Sequence, residues 1–370
     1  MILLNGPVSN YIQRNGRKYS FFGGNDYFGL ANHPAVKAAS IQSIKKYGTN
    51  FSASRYTTGT ADIHLKLEKK LSLFKGKQDS VVYASGYQGN SILLELLKNK
   101  YSIVFMDQFA HPSISTIIPK DIKNALQYNH CDTDHLENLL KKHKKHRSLI
   151  ITDGIFALTG EISPIGEIYS LAKKYNALLI VDDAHATGVL GKNGRGTPEH
   201  FNLDGAANLY QSETMSKALG SYGGFIAANK AFIQDIKSGS KFYAASTALP
   251  PPLLAASYAS LLLIEQYPEL RVKVKENAEL IRRGIKEMGF ITAGEGTPII
   301  PLLFKSLQTA KCIIMFLEEN HIIATAVDYP VKMDNFLVRI TVSSNHTKEQ
   351  IEYLLYTLKK WSYKHDADYN

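Results

Sequence analysis

Lys217 stands among small residues in the segment 213-ETMSKALGSYGG-224. A lysine usually extends a long side chain toward solvent, so this setting raises the question of what approaches it. Small neighbours allow a flat molecule to come close, and a primary amine can form a Schiff base with an aldehyde. Taken alone, the segment also fits a solvated lysine in a structural turn.

Two aspartates follow an apolar strand in 179-LIVDDAHATG-188, with Asp182 placed 35 residues before Lys217. A carboxylate that faces a basic ring nitrogen keeps that nitrogen protonated, which makes the ring a better electron sink. His185, three residues on, is placed to reach a neighbouring ring substituent. Taken alone, the segment also fits a strand-end turn in which an aspartate caps a helix.

Two further segments can hold other parts of a flat molecule that carries a phosphate. The segment 84-ASGYQGN-90 joins a predicted strand to a predicted helix, and the free backbone N–H groups of such a turn suit a phosphate. Thr214 offers a hydroxyl group for the same purpose. His111, in 107-DQFAHPS-113, follows the next strand, where an imidazole can stack on a flat ring. Both features are also common as purely structural ones.

The elements that position these residues alternate along the chain, with short apolar runs followed by stretches of helical periodicity such as 166-GEIYSLAKKYNA-177. This alternation indicates an α/β fold with a mostly parallel sheet covered by helices. Ligands bind beyond the carboxyl ends of the strands in such sheets. The predicted strands lie in 81-VVYASG, 102-SIVFMD, 148-SLIITDG and 178-LLIVDDAH, and the polar residues that follow them are Ser85, His111, Asp153, Asp182 and His185.

The pattern changes after about residue 265, where a long predicted helix, 269-ELRVKVKENAELIRRGIKEMG-289, precedes short strands. A final helix begins at 347-TKEQIEYLLYTL, where Thr347 and Gln350 have capping-box spacing. These elements predict a smaller α+β domain. The expected division is an N-terminal segment over residues 1–50 that contributes to the small domain and the site entrance, a large domain over 51–265 and a C-terminal small domain over 266–370.

Composition excludes several classes of protein. The chain has 370 residues and a formal net charge of +10, but its lysines are scattered, as in 141-KKHKKHR-147, so no nucleic-acid binding is expected. No apolar run is long enough for a membrane span, and the first residues lack a signal-peptide pattern, which favours a cytoplasmic protein. Cys131 and Cys312 form no metal or redox pattern, so no metal site is expected and both are predicted to be buried.

The set of segments as a whole resembles the α-oxoamine synthases, a family within the fold-type I pyridoxal 5′-phosphate (PLP) enzymes. The resemblance runs from 24-GNDYFGLANHP to 337-LVRITVSSNHT and so covers most of the chain. It implies a large PLP-binding domain, a smaller C-terminal α+β domain and a homodimer with shared active sites. The matching segments are NDYFGL, 59-GTADIHLKLE-68, SGYQGN, TDGIFALTGE, VDDAHATGVLGKNGRG and TMSKALGSYGG.

The resemblance implies a role for each candidate residue. Lys217 forms the Schiff base with PLP and later moves the substrate α-proton, Asp182 pairs with the pyridine nitrogen, and His185 approaches the ring hydroxyl. His111 stacks on the ring and completes the catalytic group. The other residues implied to bind the cofactor are Ser85, Gly86, Tyr87, Asp153 and Thr214, with Ser246 and Thr247 reaching the phosphate of the neighbouring subunit. Those implied to bind the amino-acid carboxylate are Asn25 and Arg339, although Arg339 alone also fits a surface-facing strand residue.

The activity implied by the family is the condensation of an amino acid with an acyl-CoA or another acyl thioester, with release of CoA and usually CO2. Alanine with a pimeloyl thioester is the first expectation, while glycine with acetyl-CoA and serine with a long acyl chain stay open. An aminotransferase on the same fold and a non-catalytic PLP-binding regulatory protein are the alternatives. Two departures bear on the substrate: Ala157 replaces the usual serine, and the chain begins later than many members.

Overall fold

A computed structural model describes residues 3–116, 125–327 and 335–364 of the chain. The chain forms two compact units, each built from separated stretches of sequence. The large unit comprises Pro34–Phe156 and Ser163–Gln266, and the small unit comprises Met1–His33, Ala157–Ile162 and Tyr267–Asn370. The sequence predicts domain limits at residues 51 and 266. These limits stay a prediction.

Strands and helices alternate over most of the described residues. The strands are β1 (Tyr11–Arg14), β2 (Arg17–Phe21), β3 (Asp79–Tyr83), β4 (Ile103–Asp107), β5 (Ala125–Tyr128), β6 (Ser148–Asp153), β7 (Leu178–Asp182), β8 (Leu209–Thr214), β9 (Gly224–Ala228), β10 (Ile299–Phe304), β11 (Ile322–Ile323), β12 (Thr325–Val327) and β13 (Phe336–Thr341). The helices are α1 (Pro34–Tyr47), α2 (Asp62–Phe74), α3 (Tyr87–Leu97), α4 (Pro112–Ser115), α5 (Thr133–Lys142), α6 (Ile165–Lys174), α7 (Thr197–His200), α8 (Lys230–Gly239), α9 (Lys241–Ala244), α10 (Pro251–Gln266), α11 (Glu269–Glu287), α12 (Leu307–Glu319) and α13 (Lys348–Lys364).

The large unit is built around a sheet whose described strands have the order β3-β9-β8-β7-β6-β4-β5. Strands β4 to β8 pair in parallel with one another, whereas β9 pairs antiparallel with β8 and with β3. The predicted mostly parallel sheet is therefore confirmed, and the four predicted strands are β3, β4, β6 and β7. Because parallel strands end at the same edge of a sheet, the residues that follow β4, β6, β7 and β8 gather there.

Helices cover both faces of this sheet because successive strand residues point to opposite sides. On one side, Val104 and Ile180 belong to a buried apolar cluster that includes residues of α3 and α8. On the other side, Phe105 and Leu179 belong to a cluster that includes residues of α5 and α6. Burial of one such side chain contributes about 1.5–3 kcal/mol, so packing on both faces holds the strand ends in place.

The small unit contains two three-stranded sheets, β10-β13-β12 and β1-β2-β11, in its described residues. The apolar run IIATAV, at residues 322–327, is divided at Ala324, so that β11 and β12 belong to different sheets. The predicted capping box of the last helix is confirmed, since Thr347 N donates to Gln350 Oε1 at 3.2 Å and Gln350 N donates to Thr347 Oγ1 at 3.3 Å. Among the described helices of the chain, none is both long enough and apolar enough to cross a membrane.

Candidate active site

Two aspartates lie side by side at the carboxyl edge of the large unit's sheet. Asp153 ends β6 and Asp182 ends β7, and they are directly opposite each other in the parallel register. Burial raises the pKa of Asp153 well above its ordinary value, and the charge of Asp182 raises it further. The sequence predicts both residues at this edge, and the structure brings them together.

Neutral groups donate hydrogen bonds to Asp182. The Nδ2 atom of Asn90 lies 2.6 Å from Asp182 Oδ2, the Oγ atom of Ser113 lies 3.5 Å from the same oxygen, and Ala184 N donates to Oδ1 at 3.1 Å. These donors orient the carboxylate without compensating its charge. Asn90 is fully buried on α3. It lies in the segment 84-ASGYQGN-90, where the sequence points only to a phosphate-binding turn and gives no sign of this contact.

His111 immediately precedes α4 and is tied to the same edge of the sheet. Its backbone N–H donates to Asp153 Oδ2 at 2.9 Å, and its Nδ1 atom lies 2.8 Å from Ser113 Oγ. Burial lowers the pKa of His111, while the charge of Asp182 raises it and the charge of Lys217 lowers it. The shift favours the uncharged imidazole, and a flat uncharged ring suits a stacking contact with an aromatic ligand.

Lys217 lies in the loop between β8 and β9 and is half-buried. Its charge lowers the pKa of Asp153 and of His111, so the amine belongs to the same electrostatic group. We call Lys217, Asp182, Asp153 and His111 the edge cluster. His185 lies in the turn that follows β7, where it is also buried.

The turn from β3 to α3 brings Gly86 against Thr214. A Cβ atom on Gly86 would lie 2.7 Å from Thr214 Oγ1, so a residue with a side chain does not fit here. Ser85 Oγ accepts from the N–H of Tyr87 at 3.3 Å, and Thr214 Oγ1 lies 3.1 Å from Ser216 Oγ. The first turn of an 11-residue helix thus lies beside several hydroxyl groups, a donor set that suits a phosphate.

Ser246 and Thr247 follow α9 in the large unit. Gln88 Nε2 donates to Ser246 Oγ at 3.4 Å, which brings Ser246 to the first turn of α3 of its own chain. Thr247 is exposed and forms an isolated backbone bridge with Ser54. The predicted contact of Ser246 and Thr247 with a second subunit stays a prediction.

Arg339 and Asn25 meet in the small unit. The Nη2 atom of Arg339 donates to Asn25 Oδ1 at 2.9 Å, and its Nε atom donates to the carbonyl oxygen of Ala157 at 2.7 Å. Arg339 is only 7% exposed, so it is not a surface-facing side chain. Burial lowers the pKa of Arg339, and the neighbouring Tyr27 opposes this effect. A desolvated cation of this kind favours an anionic partner.

The residues at the edge of the large unit fit PLP. Lys217 supplies an amine for an aldehyde, and Asp182 supplies a buried carboxylate with neutral donors for a pyridine nitrogen. The turn at Gly86 supplies donors for a phosphate, and the Cβ atom that any other residue would carry would fill the place beside Thr214. Three chemically different parts of one cofactor therefore find matching groups on this edge of the sheet.

Comparisons with known proteins agree with this donor set. The family model described as Aminotransferase class I and II matches residues 19–358. The 8-amino-7-oxononanoate synthase of Geobacter sulfurreducens is 35% identical over 352 residues, which cover 94% of this chain and 90% of that protein. The 8-amino-7-oxononanoate synthase 2 of Bacillus subtilis is 35% identical over 345 residues, which cover 93% of this chain and 88% of that protein. The chain belongs to the α-oxoamine synthase family.

Solved structures share the α-oxoamine synthase fold at 25% sequence identity. A serine palmitoyltransferase of Sphingomonas wittichii matches with a TM-score of 0.92 over 99% of this chain and 93% of that chain. A serine palmitoyltransferase of S. paucimobilis, solved with a bound PLP–myriocin aldimine, matches with a TM-score of 0.92 over 98% and 92%. The 8-amino-7-oxononanoate synthase of Francisella tularensis matches with a TM-score of 0.81 over 94% and 98%. This α-oxoamine synthase is thus a PLP-dependent acyltransferase of fold type I.

Proposed function

We propose that this α-oxoamine synthase condenses L-alanine with a pimeloyl thioester and releases the thiol and CO2, the reaction of an 8-amino-7-oxononanoate synthase. The observation that carries the proposal is the similarity to relatives of that name, which are 35% identical over 93–94% of the chain. The groups at the edge of the large unit's sheet have the chemistry that this reaction needs.

Lys217 has two proposed tasks. Bound PLP supplies an electron sink for the negative charge left when the amino acid loses its α-proton. The Nζ atom of Lys217 holds the cofactor aldehyde before the amino acid arrives and, once released, accepts the α-proton. Ala218 and Gly220 lie close to Lys217 in the sequence, and we expect these small residues to let the flat cofactor approach the amine.

Asp182 and His111 keep the cofactor ring charged and in place. Asp182 pairs with the ring nitrogen and keeps it protonated, which maintains the electron sink. Asn90 orients the Asp182 carboxylate, and Ser113 hydrogen-bonds to the imidazole of His111 that stacks on the ring. Asp153 accepts from the backbone N–H of His111 and so fixes the position of that ring.

The ring hydroxyl and the phosphate are assigned to different elements. His185, in the turn after β7, is proposed to approach the ring hydroxyl. The phosphate is assigned to the β3–α3 turn and the end of β8, because the N–H groups of a helix N-terminus and nearby hydroxyls favour an anion. The proposed phosphate ligands are Ser85, Gly86, Tyr87 and Thr214.

Arg339 and Asn25 are proposed to bind the carboxylate of the amino acid. The carbonyl oxygen of Ala157 and the amide oxygen of Asn25 fix the guanidinium plane by accepting from Nε and Nη2. A planar fork held in this way can form a bidentate, charge-assisted pair with a carboxylate. Truncation of Arg339 is therefore expected to raise KM for the amino acid more than KM for the thioester.

We also propose a homodimer, in which Ser246 and Thr247 reach the phosphate of the neighbouring subunit, and a cytoplasmic location. The net charge of +10 suits an acyl donor that carries the phosphates of CoA. Light scattering of the PLP-loaded protein tests the assembly, and a particle with the mass of one chain at the concentration used for catalysis would contradict it.

Thiol release from a matrix of acyl thioesters and amino acids tests the proposed reaction. The PLP-loaded protein is expected to release thiol only when both partners are present, and fastest with alanine and the pimeloyl thioester. Lys217→Ala, with the exposed Lys230→Ala as its matched control, separates the site from a contaminating thioesterase. Conversion of keto acids with amino donors, together with no thiol release from any pair, would establish an aminotransferase instead.

Serine with a long-chain acyl thioester is the second candidate pair. The observation that favours it is the TM-score of 0.92 with a serine palmitoyltransferase. A high TM-score shows only a shared fold, and serine palmitoyltransferases and 8-amino-7-oxononanoate synthases have the same fold. The relatives that are 35% identical favour alanine as the amino acid. In the same matrix, thiol release that requires serine and a palmitoyl thioester would select this second candidate.

A further inference from the structure

Tyr27 contacts Arg339 within the small unit and is fully buried there. Its side chain forms a hydrogen bond with the side chain of Arg339. A guanidinium group has no acceptor, so the hydroxyl oxygen of Tyr27 accepts from one of its N–H groups. Tyr27 is therefore a third group, besides Asn25 and the carbonyl of Ala157, that holds the Arg339 side chain.

These three acceptors restrict how an anion can approach Arg339. The Nε atom of Arg339 donates to the carbonyl oxygen of Ala157 at 2.7 Å, and the Nη2 atom donates to Asn25 Oδ1 at 2.9 Å. A guanidinium carries five N–H groups, and after one bond to each of the three acceptors the other two are as many as one bidentate carboxylate accepts. Because Nε already donates to Ala157, such a carboxylate has to approach end-on, across Nη1 and Nη2.

The groups that hold Arg339 in this way are uncharged. Ala157 offers a backbone carbonyl, and Asn25 offers an amide oxygen. Burial raises the pKa of Tyr27 to about 12, although the charge of Arg339 acts to lower it, so the phenol keeps its proton at neutral pH. The three acceptors thus orient the guanidinium without compensating its charge, which then favours a carboxylate ligand.

The backbone around Tyr27 fixes the position of its ring. Ser344, which follows the strand β13 that carries Arg339, donates its N–H to the carbonyl oxygen of Tyr27 at 2.9 Å. Asp26 Oδ1 accepts from Leu30 N at 2.9 Å and so closes the turn that contains Tyr27. The hydroxyl and the guanidinium are therefore held by the same part of the small unit.

We propose that Tyr27 is a positioning residue for the amino-acid substrate, because its hydroxyl group fixes the rotation of the Arg339 guanidinium so that Nη1 and Nη2 face the substrate carboxylate. This role depends on the binding of the carboxylate by Arg339, as in the proposed function. Tyr27 acts on the amino acid through Arg339, so loss of its hydroxyl group weakens binding of the amino acid and leaves binding of the acyl donor unchanged.

Amino-acid binding by the PLP-loaded Tyr27→Phe protein tests this role. Phenylalanine keeps the buried ring and the net charge and removes only the hydroxyl group. The absorbance change of PLP when alanine is added without any thioester gives Kd, which is expected to rise about five- to tenfold. KM for the thioester should stay within about twofold of the parent value. Tyr19→Phe is the matched control with unchanged Kd, because Tyr19 is a buried tyrosine of the small unit whose ring lies beside His321.

Two further measurements separate an effect on Arg339 from an effect on packing. Ethylamine has no carboxylate, so its affinity should be the same in the parent and in Tyr27→Phe. In an Arg339→Lys background there is no guanidinium to orient, so Tyr27→Phe should raise Kd for alanine by no more than about twofold. A full five- to tenfold rise for ethylamine, or in the Arg339→Lys background, would overturn the proposed role.

The reactivity of Cys312 shows whether the small unit stays intact in the variant. The sequence predicts that Cys131 and Cys312 are buried, but the structure shows both half-buried, with Cys312 on α12 of the small unit. Iodoacetamide labelling with peptide mass spectrometry should give equal rates at Cys312 in the parent and in Tyr27→Phe. A faster rate in the variant would show that Tyr27 supports packing of the small unit, and the proposed role would be wrong.

The measurement of Kd also distinguishes the role of Tyr27 from the proposed function. It is repeated with glycine and serine, which share the carboxylate of alanine, so the result does not depend on which amino acid is the substrate. Equal Kd values in the parent and in Tyr27→Phe would overturn the role of Tyr27 and leave the proposed function intact. If the parent bound alanine but released no thiol from the pimeloyl thioester, the proposed function would fail, while Kd would still decide the role of Tyr27. No absorbance change with any of the three amino acids would overturn both.

Discussion

The large unit contains two groups of buried charges that are built in opposite ways. In the edge cluster, Asp182 accepts from neutral donors such as the Asn90 amide, 2.6 Å away. In the second group, which we call the ion network and which consists of Lys75, Asp183 and Glu213, a fully buried lysine contacts a buried carboxylate directly. Lys75 Nζ lies 3.0 Å from Glu213 Oε1, and these side chains are 1% and 0% exposed.

Asp183 shows the contrast most clearly, because it directly follows Asp182. Thr197 N and Gln211 Nε2 donate to Asp183 at 2.9 and 2.8 Å, and the Thr197 hydroxyl donates as well. A Cβ atom on Gly196 would lie 1.9 Å from Asp183 Oδ2, so the protein leaves no space on that side. Asp183 is fully enclosed, whereas Asp182 keeps 7% of its surface exposed.

The difference shows that burial alone does not identify a chemical site. A buried carboxylate that contacts a buried lysine, as Glu213 does, or that is enclosed by donors, as Asp183 is, contributes to the fold. A buried carboxylate with neutral donors still favours a cationic partner, which in the proposed function is the protonated nitrogen of PLP. Lysine residues divide in the same way between Lys75, which neutralises the ion network, and Lys217, which is proposed to react.

Exchanging one lysine at a time gives the largest expected effect. Lys217→Ala is expected to lower kcat at least about 10³-fold, because it removes the group proposed to move the α-proton, with little change in stability. Lys75→Met is expected to lower the free energy of unfolding by about 3 kcal/mol, because it leaves buried carboxylates without their cation. Borohydride reduction with mass spectrometry detects the PLP adduct, and urea denaturation measures stability. A folded Lys75→Met protein that forms no PLP adduct would contradict the division of roles between Lys75 and Lys217.

The adjacent aspartates give the second effect. Asp182→Asn should lower kcat by about 10²–10³-fold, the size typical for loss of one electrostatic contact to the reacting centre. Asp183→Asn should instead lower the free energy of unfolding by about 1–3 kcal/mol, because its amide cannot accept from all the donors that surround it. Steady-state kinetics at saturating PLP and urea midpoints separate the two outcomes. Equal losses of kcat in both variants would show that the two carboxylates act as one group.

The members of the edge cluster could be predicted from the sequence because several of them follow strongly apolar strands. Strands β6 and β7 are fully buried, and parallel pairing then places Asp153 opposite Asp182. The spacing of strands and turns along the chain is enough to bring such residues to one edge. The prediction of Lys217 rests on other signals, namely the small residues around it and the resemblance to a family.

The supporting residues could not be predicted, because their partners lie far along the chain. Asn90 and Asp182 are 92 residues apart, and Lys75 and Glu213 lie on separate elements of the chain. Helical periodicity reports which side of a helix is buried but not which polar group it will meet. The position of β9 between β8 and β3 is equally a property of the sheet, since no local pattern encodes strand order.

Glu213 gives the third effect, which develops gradually with pH, and the most specific test of the ion network. Burial raises the pKa of Glu213 from 4.5 to about 7, although Lys75 acts to lower it. The folded protein therefore binds a proton at Glu213 more tightly than the unfolded chain does. The contribution of Glu213 to stability falls as the pH rises from about 4.5 to about 7 and does not change further above that range. Glu213→Gln removes the effect. Urea denaturation should show that the free energy of unfolding of Glu213→Gln rises relative to that of the parent across this pH range. The rise should be at most about 1.4 kcal/mol per pH unit.

Removal of Lys75 should shift the same window. Because Lys75 lowers the pKa of Glu213, the Lys75→Met variant is expected to lose stability over a higher pH range than the parent does. Urea midpoints measured for Lys75→Met with and without Glu213→Gln isolate this shift from the general loss of stability. If the pH range of this stability loss were the same in the parent and in Lys75→Met, burial alone would set the pKa of Glu213. The ion network would then be two independent buried charges, and its contrast with the edge cluster would disappear.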